Sequence, residues 1–148
     1  MPRQPNGPAD RQARGLAKES ELNGAGFMAV GIGAAFGAWA RWLLGTFLNV
    51  LYPSLPPGTL AANLIGGYLI GLAVAFFASH PDVSPEWRLF AITGFLGGLT
   101  TFSTFSAENV ALLQQARVGA AIAHGAMHLA GSLVATIGGI ATWRWLTA

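Results

Sequence analysis

The sequence predicts an all-α integral membrane protein with four transmembrane helices per subunit. Its 148 residues are 53% hydrophobic and only 9% charged, where an average soluble domain is about 25% charged. The mean hydropathy is +0.50, and there are 20 glycines, a residue commoner in transmembrane helices than in soluble ones. Four apolar stretches each approach the roughly 20 residues that cross a bilayer. The absence of cysteine excludes disulfides, iron–sulfur clusters and thiol catalysis. A formal charge of +2, thinly scattered, gives no footprint for nucleic acid.

Residues 1–26 contain Arg3, Asp10, Arg11, Arg14, Lys18, Glu19 and Glu21, with three prolines and no apolar run. Such a segment cannot bury enough surface to offset its ordering entropy, so a disordered polar tail is expected. It has no short apolar core followed by a small-residue cleavage site, the mark of a signal peptide. The membrane domain is expected to occupy 27–148. Its first span runs from about Phe27 to Leu51 and is interrupted by Arg41, and "YPSLPPG" follows as a proline-stiffened loop. The second runs from Thr59 to Ser79, and "HPDVSPE" links it to a third from Trp87 to Leu113. "QQARVG" leads to a fourth, from Ala120 to Leu146. Links this short make sequential helices antiparallel neighbours. Trp39, Trp42, Tyr52, Trp87, Trp143 and Trp145 lie towards span ends, where amphipathic rings favour the interface.

Small residues recur four apart at Gly33/Gly37, Gly67/Gly71 and Gly94/Gly98, a spacing that lets helix backbones approach closely in lipid. Their expected role is to pack the four helices together. Four helices alone make a thin bundle, so a homodimer is expected to shield any polar pathway. The charge asymmetry that sets orientation is weak. Arg3, Arg11, Arg14, Lys18, Arg88 and Arg144 fall on the terminal side, against Arg41 and Arg117. Without the tail the two sides balance, so either orientation is open to the chain.

Polar groups inside a span are costly and are functional candidates by default. Asn63 is the only carboxamide of the second span; it reads either as interhelical glue or as a donor facing an aqueous path. On the fourth span His124, His128, Ser132 and Thr136 recur every four residues, a stripe about 18 Å long at 1.5 Å per residue. It reads as a polar track or as hydroxyls bonded back to their own helix. A metal held by His124 and His128 lacks a third ligand at useful spacing. The third span carries "GGLTTFSTFS", residues 97–106. Gly97, Gly98, Thr100 and Thr101 are poor helix formers, so a break is expected, and non-helical backbone at membrane depth survives only buried in protein or lining a cavity. Carbonyls freed there suit a hard cation. Phe102 and Phe105, three apart, share a face, which is ordinarily just packing. Their positive ring edges, set among Thr101, Ser103, Thr104 and Ser106, also suit a small anion that must enter readily and leave.

With "GTLAANLIGG" before it and "HLAGSLVAT" after it, "GGLTTFSTFS" resembles the Fluc (CrcB) family of fluoride ion channels across all four spans. The resemblance implies an antiparallel, dual-topology homodimer in the bacterial inner membrane, with a broken third helix and two fluoride pores. It implies that Phe102 and Phe105 are the pore-lining pair and that Asn63 orients around the fluoride path. Ser132, Thr136 and Thr104 would supply hydroxyls, His128 would stand where relatives carry other polar residues, and Arg41 would match the first-helix arginine at a vestibule. Backbone carbonyls of Gly97 and Thr100, supplied by both subunits, would hold a structural sodium ion. The implied activity is passive export of cytoplasmic fluoride, without enzymatic chemistry. A proton-coupled exporter of drugs or cations is the alternative; it needs a carboxylate within a span, and Glu108, towards the end of the third, is the candidate. A purely structural subunit is a third reading. No nucleophile–base pair or nucleotide loop supports an enzyme.

Overall fold

The computed structural model describes residues 24–52 and 56–148, and among them all regular structure is helical. Helix α1 spans Gly24–Leu48 and α2 spans Pro57–Ser79. The third span, Pro85–Gln114, has two parts. The first, α3 (85–99), opens with an α turn at Pro85–Arg88, is π-helical over Leu89–Leu96 and closes with one turn at Gly97–Leu99. The second is α4, Phe102–Gln114, and α5 follows at Val118–Leu146. All four spans are long and apolar enough to cross a membrane, so the chain is a multi-pass membrane protein. The expected spans are in place. Helix α1 begins three residues ahead of the expected Phe27, so Gly24 to Gly26 of the expected tail are helical. The rest of that tail lies outside the described residues.

Helix ends follow local chemistry. Pro57 sits at the first position of α2, where a missing N–H costs nothing. The amide of the next residue, Gly58, donates to Asn49 Oδ1 at 2.8 Å, so the end of α1 caps the start of α2. At the far end of α4, Ala116 adopts φ 56°. Arg117 N–H bonds Leu112 O at 3.0 Å and Ala116 N–H bonds Leu113 O at 2.9 Å, the bond pattern that closes a helix around a left-handed residue, usually glycine. The result is a tight hairpin, and it lays α4 antiparallel against the start of α5.

Glycine decides how the helices meet. A Cβ on Gly33 or Gly37 of α1 would strike the carbonyls of Phe90 and Phe95 in α3. The relation is mutual, because Gly94 and Gly98 of α3 lie against the carbonyls of Val30 and Ala34. On the other side Gly67 and Gly71 of α2 rest on Ser132 and Thr136 of α5, and Gly139 of α5 rests on Tyr68. All three expected glycine pairs therefore pack helices within one chain. Close backbone approach in lipid brings dispersion and weak Cα–H···O contacts that larger residues forbid.

The buried core among the described residues is small: a cluster of Ala62 of α2 with Leu96 and Leu99 of α3, flanked by Leu44, Leu69, Ile70 and Phe95, and, apart from it, Leu112 of α4 and Ala121 of α5. Phe27, Phe47, Leu129, Val134 and Ile137 point outward. The apolar surface faces lipid or another chain, the inverse of a soluble bundle.

Candidate functional site: a clamped helix interruption beside a phenylalanine pair

Between α3 and α4 two residues leave the helical region. Thr100 has φ −82°, ψ 155° and Thr101 has φ −151°, ψ 119°, both extended. In a continuous helix the Thr101 amide would bond the Gly97 carbonyl. Here it donates to Asn63 Oδ1 at 2.8 Å, while Asn63 Nδ2 donates to the Thr101 carbonyl at 3.0 Å. A carboxamide carries one acceptor and two donors, so it pairs with both polar groups of one displaced residue. Asn63 is thus the clamp that satisfies backbone lifted out of its helix at membrane depth.

The ends on either side are closed by threonines. Thr100 Oγ1 donates back to Leu96 O at 2.8 Å. Thr101 is the N-cap of α4: its Oγ1 accepts from Thr104 N–H at 3.1 Å, as N-cap hydroxyls do. The same hydroxyl donates to Thr104 Oγ1 at 3.0 Å, which leaves the Thr104 proton for the cavity that Thr104 lines.

The clamp also settles a tautomer. Asn63 Nδ2 has a second hydrogen, and His128 Nδ1 lies 3.1 Å from it. The amide cannot flip without losing both bonds to Thr101, so Nδ1 accepts and the neutral ring carries its proton on Nε2.

Phe102, the first residue of α4, is 79% exposed on the single chain. Its ring meets Phe105 edge-on at 5.4 Å and 61°. Phe105 is half-buried, stacked on His124 at 5.4 Å and tilted over His128 at 4.6 Å. A cleft of about 260 Å³ is lined by Asn63, Thr100, Thr101, Phe102, Phe105, His128, Leu129 and Ser132. A wider cavity of about 570 Å³ is lined by Arg41, Trp42, Thr46, Asn49, Thr59, Thr101 and Thr104 among others. Thr101 is the wall common to both. Because α4 starts here, the positive end of its dipole lies at the cleft and favours an anion.

The residues singled out in the sequence separate into groups. Asn63, Phe102, Phe105, His128 and Ser132 share the cleft, with Thr100 at its edge. Arg41 and Thr104 share the wider cavity. Thr136 is not among the residues lining either; its hydroxyl donates to its own helix at Ser132 O, 2.9 Å away, beside Gly67 of α2. Gly97 is exposed at the subunit surface.

One expectation is corrected. The sequence offered no third group for His124 and His128, but Glu108 stands beside them, and one ligand atom from each of the three lies within 4.8 Å of the others. The hairpin at Ala116 brings this about, since Glu108 and His124 flank it symmetrically and face each other across α4 and α5. Their closest atoms, Glu108 Oε2 and His124 Nε2, are 3.4 Å apart. Thr59 Oγ1 donates to the other carboxylate oxygen at 2.6 Å. Reading the α4–α5 link as a two-helix hairpin and pairing residues equidistant from it would have found this contact. Thr101 was passed over as a structural pivot, although a threonine just ahead of a helix is an N-cap signal.

Comparison with known proteins shows the family. The family model described as "CrcB-like protein, Camphor Resistance (CrcB)" matches residues 28–140. The chain belongs to the CrcB family. A relative from Chromobacterium violaceum named fluoride-specific ion channel FluC is 64% identical over 119 residues, covering 80% of this chain and 94% of the relative. Proteins of the same name from Pseudomonas putida and Cupriavidus metallidurans are 59% and 61% identical, covering 81% and 82% of this chain and 94% and 96% of the relatives. The residues matched by the family model, 28–140, contain the clamp, the phenylalanine pair and the polar face of α5.

Proposed function

We infer that this protein is a passive fluoride-selective ion channel, not an enzyme, and that it exports cytoplasmic fluoride across the inner membrane of a bacterial cell. The observation that carries this reading is the Asn63–Thr101 clamp. It holds a helix interruption open at the point where Phe102, Phe105 and Ser132 line one cleft. Close relatives bearing the name of a fluoride channel supply the ion.

Fluoride is small and holds its water tightly, so a path for it must replace that shell donor by donor. Arg41 raises local anion concentration in the wider cavity, where the Thr104 hydroxyl donates. Past Thr101, the cleft provides the Ser132 hydroxyl, the positive edges of Phe102 and Phe105 and the dipole of α4. Asn63 spends its hydrogen bonds on Thr101 and His128, so it works chiefly by positioning the path. Ring edges and hydroxyls bind an anion weakly enough to let it leave. With the cell interior negative, the potential favours efflux by about 2.3 kcal/mol per 100 mV.

The working unit in this reading is an antiparallel, dual-topology homodimer, with the third helix functionally broken at Thr100–Thr101. Supporting it are the exposure of Phe102, the weak charge asymmetry between the two sides, and spans whose apolar surface is mostly uncovered in one chain. A structural sodium ion at the dimer centre would be held by the backbone carbonyls of Gly97 and Thr100 from each subunit. Hard cations take oxygen ligands, and the diversion of the Thr101 amide to Asn63 leaves the Gly97 carbonyl without its helical donor, so this donor set fits. The ion would supply fixed positive charge where two interrupted helices meet. The exporter reading needs Glu108 open to substrate, but Glu108 is engaged by Thr59 and His124 and lines neither cavity.

The test is fluoride release from liposomes, driven by valinomycin and followed with an electrode. Fast release from fluoride-loaded vesicles and none from chloride-loaded ones is expected. Well-folded protein without fluoride release would overturn the reading.

A further inference from the structure

We propose that Glu108, His124 and His128 form a binding site for a divalent metal ion of the zinc class, one per chain, whose occupation closes the neighbouring fluoride path. The site itself stands on side-chain geometry; only its effect on flux rests on the channel reading above.

Each of the three groups holds at least one buried polar atom without a hydrogen-bond partner. His124 is 1% exposed and His128 4% exposed. Both ring nitrogens of His124, Nε2 of His128 and Oε2 of Glu108 are buried without a hydrogen bond. Most buried side-chain polar atoms in folded proteins are paired, so three residues that each bring an unpartnered atom to one cluster ask for something to fill it. Zinc takes imidazole nitrogen and carboxylate oxygen, and two histidines with one glutamate is a ligand set it uses while keeping a fourth position open. Two histidines four apart present their rings on one helix face, the arrangement helical zinc sites employ. Bonds of about 2.0–2.1 Å to zinc place tetrahedral donors about 3.4 Å apart. Glu108 Oε2 and His124 Nε2 already stand at 3.4 Å, and the full set lies within 4.8 Å, so closure asks for a small side-chain adjustment. Thr59, donating to the second oxygen of Glu108, is the outer-shell partner that metal-bound carboxylates usually have.

Coupling to the path follows from the tautomer. Zinc on His128 Nε2 moves the ring proton to Nδ1, where it meets the amide hydrogen of Asn63. The two donors cannot share that contact, so His128 and Asn63 must separate. Asn63 holds Thr101, and the ring of His128 supports Phe105 at 4.6 Å. Metal binding therefore disturbs the clamp and the phenylalanine pair together.

Calorimetric titration of zinc chloride into the purified full-length protein, after chelator treatment, tests the site. One saturable ion per chain is expected, weakened at least about tenfold by His124→Gln and separately by Glu108→Gln, and unchanged by His80→Gln at the exposed end of α2. The two substitutions lie on different helices, so failure of one variant to fold leaves the other as the test. No saturable binding, binding indifferent to both substitutions, or binding lost with His80→Gln would overturn the site. In liposomes, zinc is expected to slow fluoride release by the unaltered protein and to spare His124→Gln, each compared with its own metal-free rate. Saturable binding with flux untouched would overturn the closing effect alone. Absence of flux in metal-free vesicles would count against the channel and not against the titration.

Discussion

The two halves of the third span are built on opposite terms. Helix α3 is apolar, partly π-helical, and meets α1 backbone to backbone, with Gly94 and Gly98 against Val30 and Ala34. Helix α4 begins on a threonine cap and is tied to α2 and α5 by Asn63, Thr59, His124 and the Phe105 ring. Steric fit fixes the first half, and directional contacts fix the second. On the proposed reading, the path for the ion is assembled where packing by shape gives way to packing by hydrogen bonds. Shape holds the scaffold still, while hydrogen bonds leave oriented polar groups beside a cavity.

Substitutions that strike one half or the other break this contrast in different ways. The largest effect is expected from Gly37→Val. Its side chain would enter the Phe95 carbonyl and the Leu99 amide, backbone atoms that cannot turn aside, so the cost should exceed the roughly 1–3 kcal/mol of ordinary overpacking and keep α1 from docking on α3. Loss of folded protein on size-exclusion chromatography in detergent would check it. Asn63→Ala comes next. It strands the N–H and C=O of Thr101, at about 1–3 kcal/mol for each unsatisfied group, so melting temperature should fall and fluoride flux should drop with it, by about tenfold for each 1.4 kcal/mol added to the barrier for permeation.

Phe102→Ile separates function from fold. The ring is largely exposed on the single chain, so stability of the subunit should move by less than about 0.5 kcal/mol, while fluoride release from liposomes is lost. Equal losses of stability and flux would mean that Phe102 only packs. Arg41→Gln should reduce flux only a few-fold and make it less sensitive to ionic strength, because a vestibule charge acts through a field that salt screens. The smallest effect is a gain. Ala116→Gly relieves a left-handed alanine at about 1–2 kcal/mol, partly offset by the greater freedom of glycine in the unfolded chain. A rise of a few degrees in melting temperature with unchanged flux is expected.

Much of the protein was legible in its residues. Hydropathy placed four spans within a few residues of their observed ends, because crossing a bilayer depends on a sum over about 20 neighbours in sequence. The glycine spacings marked helix faces that meet others closely, and "GGLTTFSTFS" marked weak helical propensity where Thr100 and Thr101 leave the helix. The hydroxyl stripe of α5 was visible as a periodicity. Which member would face a cavity was not: Ser132 lines the cleft and Thr136 bonds its own helix.

Only the tertiary structure decided the pairings. Asn63 was legible as a costly carboxamide, but that it would clamp Thr101 depends on the register of α2 against the third span. Glu108 looked remote until the hairpin at Ala116 folded it onto His124. Local composition determines what a segment of chain can become, since propensity and hydropathy are summed over neighbours. Hydrogen bonds and close contacts between helices are set by crossing angle and register, and a shift of one residue turns a side chain about 100° around its helix. The spans and the polar inventory were therefore properties of the sequence, and the site was a property of the fold.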